Sequence, residues 1–221
     1  RVMEVMQQMV GGREMTRTIA IDGPSGSGKS SVADRLADAL HMAHQDTGAM
    51  YRAITLDLLE QGIDVNDEQA VDDRLNQLNL KMEDNRVFLD NRDVTARVRA
   101  DDVTRNVSVV SGYRAVREKM VAMQQAIASS ADVILDGRDI GTVVLPNADL
   151  KIFLDATPEE RARRRLQVKK STSSMAYEEV LADIRRRDQY DSTRAISPLR
   201  QAEDAVRIDS SNMAIEEVVE R

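Results

Sequence analysis

Residues 23–30 read GPSGSGKS, and this stretch constrains the fold of the chain more than any other. It has the form G-x-x-x-x-G-K-[ST] and lies between a β-prone run, residues 18–21, and residues 30–40, whose apolar side chains recur at helical spacing. Glycines let backbone N–H groups turn inward around phosphate oxygens, and the start of the helix adds the positive end of its dipole. By chance the pattern occurs in about one chain per hundred of this size. The sequence therefore predicts a phosphate-binding loop and not a serine/glycine linker.

The residues of this loop have predicted tasks in holding a nucleoside triphosphate. Lys29 brings a point charge to the β- and γ-phosphates, and Ser30 offers its hydroxyl to Mg²⁺. We expect the nucleotide to be bound by Gly23, Pro24, Ser25, Gly26, Ser27, Gly28, Lys29, Ser30 and Ser31. The loop leaves the reaction open, because GTPases, motor ATPases, small-molecule kinases and non-catalytic nucleotide sensors all carry it.

The charge of the chain narrows the class of ligand. The formal net charge of −7 disfavours a protein that binds nucleic acid, yet arginines cluster in residues 161–165 and 185–187 and at Arg194. An acidic protein with local arginine clusters suits a small polyanion held in a pocket. The chain has no cysteine, which excludes disulfides and fits a reducing cytoplasm. No apolar run reaches the roughly 20 residues of a membrane span, so we expect no membrane partner. We expect a cytoplasmic protein, and separately we expect it to be a monomer.

Strand and helix patterns alternate along most of the chain. They predict strands at residues 18–21, 133–135, 150–154 and 206–209, and helices at residues 30–40, 50–59, 115–128 and 213–219. Another helix is predicted to begin at Pro158, after Thr157 as its N-cap. This order predicts an α/β fold with a parallel, doubly wound sheet. Residues 80–95 alternate around Asn/Asp turns, which predicts a small antiparallel sheet inserted into that frame.

Three further clusters accompany the loop: DTGAMYR at residues 46–52, DGRDIGT at 136–142 and RDQYDSTR at 187–194. With IDGPSGSGKSS and KIFLDATPEERARRR, and in the same order, they resemble the bacterial cytidylate kinases of the nucleoside monophosphate kinase group. The resemblance covers residues 18–219. It implies a P-loop enzyme that uses Mg²⁺ and ATP to phosphorylate CMP and dCMP.

The resemblance also implies a role for particular positions. Arg164 corresponds to an arginine over ATP, and Lys29, Arg138, Arg164 and Arg194 are the expected catalytic residues. The implied acceptor contacts are Thr47, Arg52, Arg138 and Arg194 to the phosphate, Ser108, Arg117 and Asp139 to cytosine, and Arg187 and Asp191 to ribose. Thr47 stands where some relatives have serine, and it keeps the hydroxyl.

The resemblance implies a domain plan as well. Residues 15–221 would form the kinase domain, with an inserted monophosphate-binding part at residues 63–100 and a short lid at 167–176. Residues 1–14 hold acidic groups and lack the apolar core of a signal peptide, and we expect them to be an extension without function.

Several alternatives stay open at this point. The acceptor could be UMP or another small molecule, and a non-catalytic sensor would keep the loop while its acceptor residues degraded. The arginines at 161, 163 and 165 suit either a ligand or a solvated helical face. Asp136 suits either the waters of Mg²⁺ or a cap on the next turn. His41 and His44 have no evident catalytic partners and are expected to be structural.

Overall fold

A computed structural model of the chain describes residues 16–169 and 176–221. Within these ranges the strands are β1 (Thr18–Asp22), β2 (Ala43–Asp46), β3 (Leu80–Glu83), β4 (Arg86–Leu89), β5 (Arg92–Asp93), β6 (Val133–Gly137), β7 (Leu150–Asp155) and β8 (Val206–Asp209). Five of them form a parallel sheet in the order β2-β6-β1-β7-β8. The predicted parallel α/β sheet is therefore confirmed.

Helices connect these strands. In the described ranges they are α1 (Lys29–Leu40), α2 (Thr47–Glu60), α3 (Glu68–Leu75), α4 (Asp101–Val110), α5 (Arg114–Ser130), α6 (Pro158–Lys169), α7 (Tyr177–Thr193) and α8 (Ile215–Glu220), with a 3₁₀ turn at Arg97–Arg99 and a π-helical turn at Ile140–Val144. The predicted N-cap of α6 is present, because the Thr157 hydroxyl accepts the N–H of Glu160 at 3.2 Å. Because the five strands are parallel, their carboxyl ends share one edge, and the segments after them meet there.

The core lies on both faces of the parallel sheet. Ile19 and Ile21 of β1 belong to one cluster, in which α1 and α8 cover the sheet. Ala20, between them, points to the opposite face and joins a cluster with Leu135 of β6 and Ala128 of α5. This two-sided burial explains why β1 and β6 read as continuous apolar runs.

The inserted segment is a three-stranded antiparallel sheet, in the order β3-β4-β5, that packs on α2. The β3–β4 turn is made by Asp84 and Asn85, whose φ angles are 49° and 57°. Such left-handed pairs suit the tight turn of a hairpin, as the Asn/Asp pattern predicts. The helix α3 between α2 and this sheet was not expected from the sequence.

Two predicted segments fall on residues outside the described ranges. The extension at residues 1–14 lies wholly outside them, and most of the lid, residues 170–175, does too. Among the helices that the structure describes, none has both the length and the apolar character needed to span a membrane.

Candidate active site

The phosphate-binding loop connects β1 to α1, and two of its glycines are required by its geometry. A Cβ on Gly23 would lie 2.0 Å from the backbone oxygen of Leu154, so no side chain fits where the loop leaves the sheet. Gly28 has a φ of 94°, a left-handed conformation that glycine adopts without strain. Between them the N–H of Ser27 donates to the backbone oxygen of Pro24 at 3.3 Å. The glycine spacing therefore reflects one close approach and one special backbone angle.

Lys29 is buried at the start of α1, and its ammonium donates to the backbone oxygen of Pro24 at 3.0 Å. Burial, reinforced by the charge of Arg138, lowers the pKa of Lys29 to about 7. An anion bound at the loop would favour the charged form of this lysine.

Ser30 and Asp136 meet beside Lys29. The Ser30 hydroxyl donates to Asp136 Oδ2 at 2.9 Å, and His44 Nε2 lies 2.7 Å from Asp136 Oδ1. Both oxygens of this buried carboxylate thus have partners on other elements. This argues against the interpretation of Asp136 as the cap of the next turn.

The arginines of α6 serve different purposes. Arg161 is buried, donates to the backbone oxygen of Ser25 at 3.1 Å, and holds Asp188 of α7 with two bonds of 2.9 and 2.5 Å. The solvated-face interpretation is therefore wrong for Arg161, which braces the loop. Arg163 is exposed and pairs with Glu160 of its own helix, as a solvated face predicts. Arg165 is partly buried and lies 3.2 Å from Asp183.

Arg164 lies against the outer side of the loop. It donates to the backbone oxygen of Ser27 at 3.3 Å and to both the hydroxyl and the backbone oxygen of Ser210, which follows β8. A cavity of about 600 Å³ opens here, lined by Arg164, Ser31 and loop residues 25–28 together with apolar side chains that include Met213 and Ile215. This cavity is polar beside the loop and apolar away from it.

A second cavity, of about 190 Å³, lies on the other side of the loop. It reaches Lys29 and Ser30, and its lining includes all nine predicted acceptor residues: Thr47, Arg52, Ser108, Arg117, Arg138, Asp139, Arg187, Asp191 and Arg194. These residues come from α2, α4, α5, α7 and the segments after β6 and α7. The fold therefore brings together positions spread over 148 residues of chain, counted from Thr47 to Arg194.

Arg117 and Asp139 form a buried ion pair at one end of this cavity. Their closest atoms, Nη2 and Oδ2, are 2.6 Å apart, and each side chain is 3% exposed. Arg117 also donates to the backbone oxygen of Ser111 at 2.9 Å and stacks over the ring of Tyr51 at 4.8 Å. Among the described residues, no hydrogen bond reaches Oδ1 of Asp139, so this oxygen is free to accept one from a ligand.

The arginines at the centre of the cavity are crowded. Burial, together with the charges of Arg187 and Arg99, lowers the pKa of Arg52 to about 9. Burial, together with the charge of Arg138, lowers the pKa of Arg187 to about 10. Nε and Nη1 of Arg187 are buried, and within the described part of the chain they have no hydrogen-bond partner. A site with unpaired buried cations is prepared for an anion.

Asp191 is the carboxylate that balances part of this charge. Its Oδ2 accepts from Arg138 Nε at 3.0 Å, and its Oδ1 lies 3.6 Å from Arg194 Nη1. Burial acts to raise the pKa of Asp191, but the charges of Arg138 and Arg194 outweigh it and hold the pKa below its ordinary value. Thr47, at the start of α2, donates to the backbone oxygen of Asp136 at 2.8 Å.

The cavity also contains residues that were not predicted. Asp46 caps α2 by accepting the N–H of Ala49, and it pairs with Arg99 of the 3₁₀ turn. Arg99 and Arg52 line both cavities and so lie where the two adjoin. Asp46 and Tyr51 belong to the DTGAMYR cluster, which could have indicated them. Arg99 has no such signal, because nothing in its local sequence separates it from the surface arginines around it.

The loop after the first strand of a parallel sheet, with an arginine-rich cavity beside it, defines a P-loop phosphotransferase. Comparison with known proteins is more specific, since residues 19–221 match the family model described as cytidylate kinase. The chain belongs to the cytidylate kinase family.

Individual relatives agree with this assignment. A cytidylate kinase of Shouchella clausii (strain KSM-K16) is 50% identical over 208 residues, which cover 91% of this chain and 92% of that protein. One from Bacillus subtilis (strain 168) is 44% identical over 214 residues, covering 94% and 95%. Among solved structures, an uncharacterized protein from Eubacterium ventriosum ATCC 27560 is 12% identical with a TM-score of 0.50, covering 93% of this chain and 94% of that one. That last likeness concerns the fold alone.

Proposed function

We propose that this protein transfers the terminal phosphoryl group of ATP to CMP and dCMP, giving ADP and CDP or dCDP by direct in-line displacement. The observation that carries the proposal is the acceptor cavity, where the nine expected acceptor residues share one lining with Lys29 and Ser30. A phosphate held by the arginines would therefore face the phosphate held by the loop. The relatives named above are cytidylate kinases, which favours CMP over UMP as the acceptor.

The chemistry of the cavity suits phosphoryl transfer between two anions. The transition state spreads charge over the equatorial phosphate oxygens, so catalysis requires positioning and cationic stabilisation. Lys29, Arg138, Arg164 and Arg194 are the proposed sources of that charge. A nucleoside monophosphate is already largely dianionic near neutral pH, because its second pKa is about 6. The reaction therefore needs no strong general base.

In the proposed function each of the two cavities binds one of the two substrates. The larger cavity would take ATP, with its phosphates in the loop and its base on the apolar part near Met213. The smaller cavity would take the monophosphate, with its phosphate near Arg52, Arg138 and Arg194, its sugar near Arg187 and Asp191, and its base at Asp139 with Arg117 and Ser108.

Mg²⁺ fits the residues that are present. Among residues 16–169 and 176–221 no cluster of three or more acidic or histidine side chains could hold a metal ion. Magnesium at such sites takes most of its ligands from substrate phosphates and water, and in a phosphate-binding loop of this form the hydroxyl after the lysine is a protein ligand. Ser30 would supply that hydroxyl. When bound, the ion neutralises charge on the phosphate oxygens.

A single assay tests the proposal. ADP production by the purified protein is measured with Mg-ATP and, in turn, CMP, dCMP, UMP, AMP and shikimate. We expect CMP and dCMP to give the highest kcat/KM. A preference for UMP would make the protein a kinase of another acceptor, and nucleotide binding without turnover of any acceptor would make it a sensor.

Two further features belong to the proposal. We propose that the protein acts as a monomer, which light scattering of the purified protein would test, and that it works in the cytoplasm. We also propose that residues 63–100 form the monophosphate-binding insertion. The packing of β3 and β4 on α2, whose first residue is Thr47, supports that assignment.

A further inference from the structure

His44 is a buried histidine with a carboxylate on each side of its ring. It lies on β2, and 4% of its side chain is exposed. Nδ1 is 2.6 Å from Asp34 Oδ1 of α1, and Nε2 is 2.7 Å from Asp136 Oδ1 of β6. The side-chain nitrogen Nδ2 of Asn85, from the β3–β4 turn, lies 3.3 Å from Nδ1. The ring is therefore held by three elements that are far apart in sequence.

Two carboxylate neighbours require the ring to donate from both nitrogens. A neutral imidazole has one N–H, so its other nitrogen would turn a lone pair towards a carboxylate oxygen. The imidazolium form satisfies both contacts. Burial acts to lower the pKa of His44, but Asp136 and Asp34 outweigh it and hold the pKa above its ordinary value. These contacts therefore favour the charged form of His44 directly behind Asp136.

Asp136 connects His44 to the phosphate-binding loop. Its Oδ1 is occupied by His44, and its Oδ2 accepts the proton of the Ser30 hydroxyl at 2.9 Å. A serine that donates to a fixed carboxylate has its lone pairs directed away from that carboxylate. Asp136 is 2% exposed, so without a partner its charge would be costly and its orientation poorly defined.

We propose that His44 is a positioning residue for phosphoryl transfer, which acts through Asp136 to fix the orientation of the Ser30 hydroxyl. The inference rests on the proposed function, in which Ser30 contacts Mg²⁺. The competing interpretation is that His44 only packs β2 against α1. The two differ in whether its loss changes the use of Mg-nucleotide or changes stability alone.

The test compares His44→Leu, His44→Gln and the control His41→Asn. His41 is the only other histidine of the chain, is exposed, and ends α1 with a left-handed φ of 53° that asparagine tolerates. We expect His44→Leu to lower kcat by at least about tenfold, the scale of a hydrogen bond to a charged group, while KM for CMP changes less than about twofold. His44→Gln keeps an N–H donor that can face Asp136, and should recover part of the loss. His41→Asn should match the wild type.

A binding measurement accompanies the kinetics. Calorimetric titration of each variant with ATP, with and without Mg²⁺, measures how much the ion tightens nucleotide binding. We expect His44→Leu to lose most of that gain and to bind metal-free ATP as the wild type does. This readout does not depend on turnover. If the wild type did not phosphorylate CMP, the proposed function would be refuted, and the titration would still test whether His44 affects the binding of Mg-nucleotide.

Asp34→Asn covers the case in which His44→Leu does not fold. Asp34 is 63% exposed, so this variant changes only the outer end of the chain of contacts. We expect it to move kcat and the magnesium gain in the same direction as His44→Leu, by a smaller factor. Unchanged kcat and magnesium gain in the folded variants, or equal loss in His44→Leu and His44→Gln, would refute the positioning role.

Discussion

Replacement of Asp139 by asparagine tests how the cavity would choose its base. Cytosine presents an amino donor at its 4-position, whereas uracil presents a carbonyl oxygen there. The carboxylate of Asp139 can only accept hydrogen bonds, and its free Oδ1 therefore suits cytosine and repels uracil. Asparagine has nearly the same shape and can also donate. We predict that Asp139→Asn lowers kcat/KM for CMP and raises it for UMP.

The buried ion pair allows the size of the effect to be worked out. Arg117 and Asp139 are each 3% exposed, so water screens the site little. A hydrogen bond to a charged group is worth about 1.5–3 kcal/mol and a neutral one about 0.5–1.5 kcal/mol, so CMP should lose about 1–2 kcal/mol. UMP should gain about as much, because its carbonyl oxygen meets a donor. The CMP/UMP ratio of kcat/KM should fall by about 2–4 kcal/mol, or roughly 30- to 1000-fold.

The assay measures ADP production with each acceptor for the wild type, Asp139→Asn and the control Asp191→Asn. The control makes the same substitution in the same cavity, at a residue that pairs with Arg138 and not with Arg117. It should slow both acceptors by similar factors and keep their ratio. A cooperative thermal unfolding transition would show that Asp139→Asn is folded. If this folded variant kept the wild-type CMP/UMP ratio of kcat/KM, Asp139 would not contact the base.

Three further predictions concern single side chains in and around the site. Lys29→Ala should lower kcat with CMP, because the transition state loses several kcal/mol of stabilisation. Near-full turnover by this variant would show that the loop has no catalytic role. Arg187→Ala and Asp191→Ala should weaken the use of both CMP and dCMP without changing the choice of base, and wild-type kinetics with both sugars would contradict their assignment to ribose. Asp22 accepts the N–H groups of Ile140 and Gly141, and burial raises its pKa from 3.8 to about 6. Because the folded state binds this proton more tightly, the group adds stability that is complete below about pH 4 and is lost as pH rises through about 6. Denaturant unfolding at pH 5 and pH 7.5 measures the free energy of unfolding of the wild type and of Asp22→Asn. The wild type should exceed the variant by about 1 kcal/mol more at pH 5 than at pH 7.5, and an equal difference at both pH values would refute the raised pKa of Asp22.

The central sheet and the loop could be predicted because their signals are local. The glycine pattern depends on one close approach and one backbone angle, and β1, β6 and β7 are short apolar runs. By contrast, β2 has the sequence AHQD, and three of its four residues are buried polar side chains. His44 and Asp46 pair with residues on other elements, and Gln45 is buried between them, so the strand lacks the apolar signal that marks its neighbours. The apolar pattern therefore did not predict β2, although this strand contributes residues to the site.

The arginines show a second limit of local sequence. Arg161 and Arg163 are two positions apart in one charged helix, yet one braces the loop and the other faces solvent. The difference comes from α7, which brings Asp188 to Arg161 and nothing comparable to Arg163. The acceptor residues were predicted through the resemblance to a family. Arg99, which has no motif of its own, could only be found once the fold had brought it to Asp46.

The order of the strands separates the two ends of the site along the edge of the sheet. On one side of β1, β2 and β6 lead to Thr47 and Arg138 in the smaller cavity. On the other side, β7 and β8 lead to Arg164 and Ser210 in the larger cavity. Neighbouring strands are about 4.8 Å apart, so the two sets of side chains are separated by whole strand widths. For protein engineering this makes the scaffold modular: apart from Arg52, which lines both cavities, substitutions after β2 and β6 would redesign the smaller cavity while the larger cavity keeps its supports.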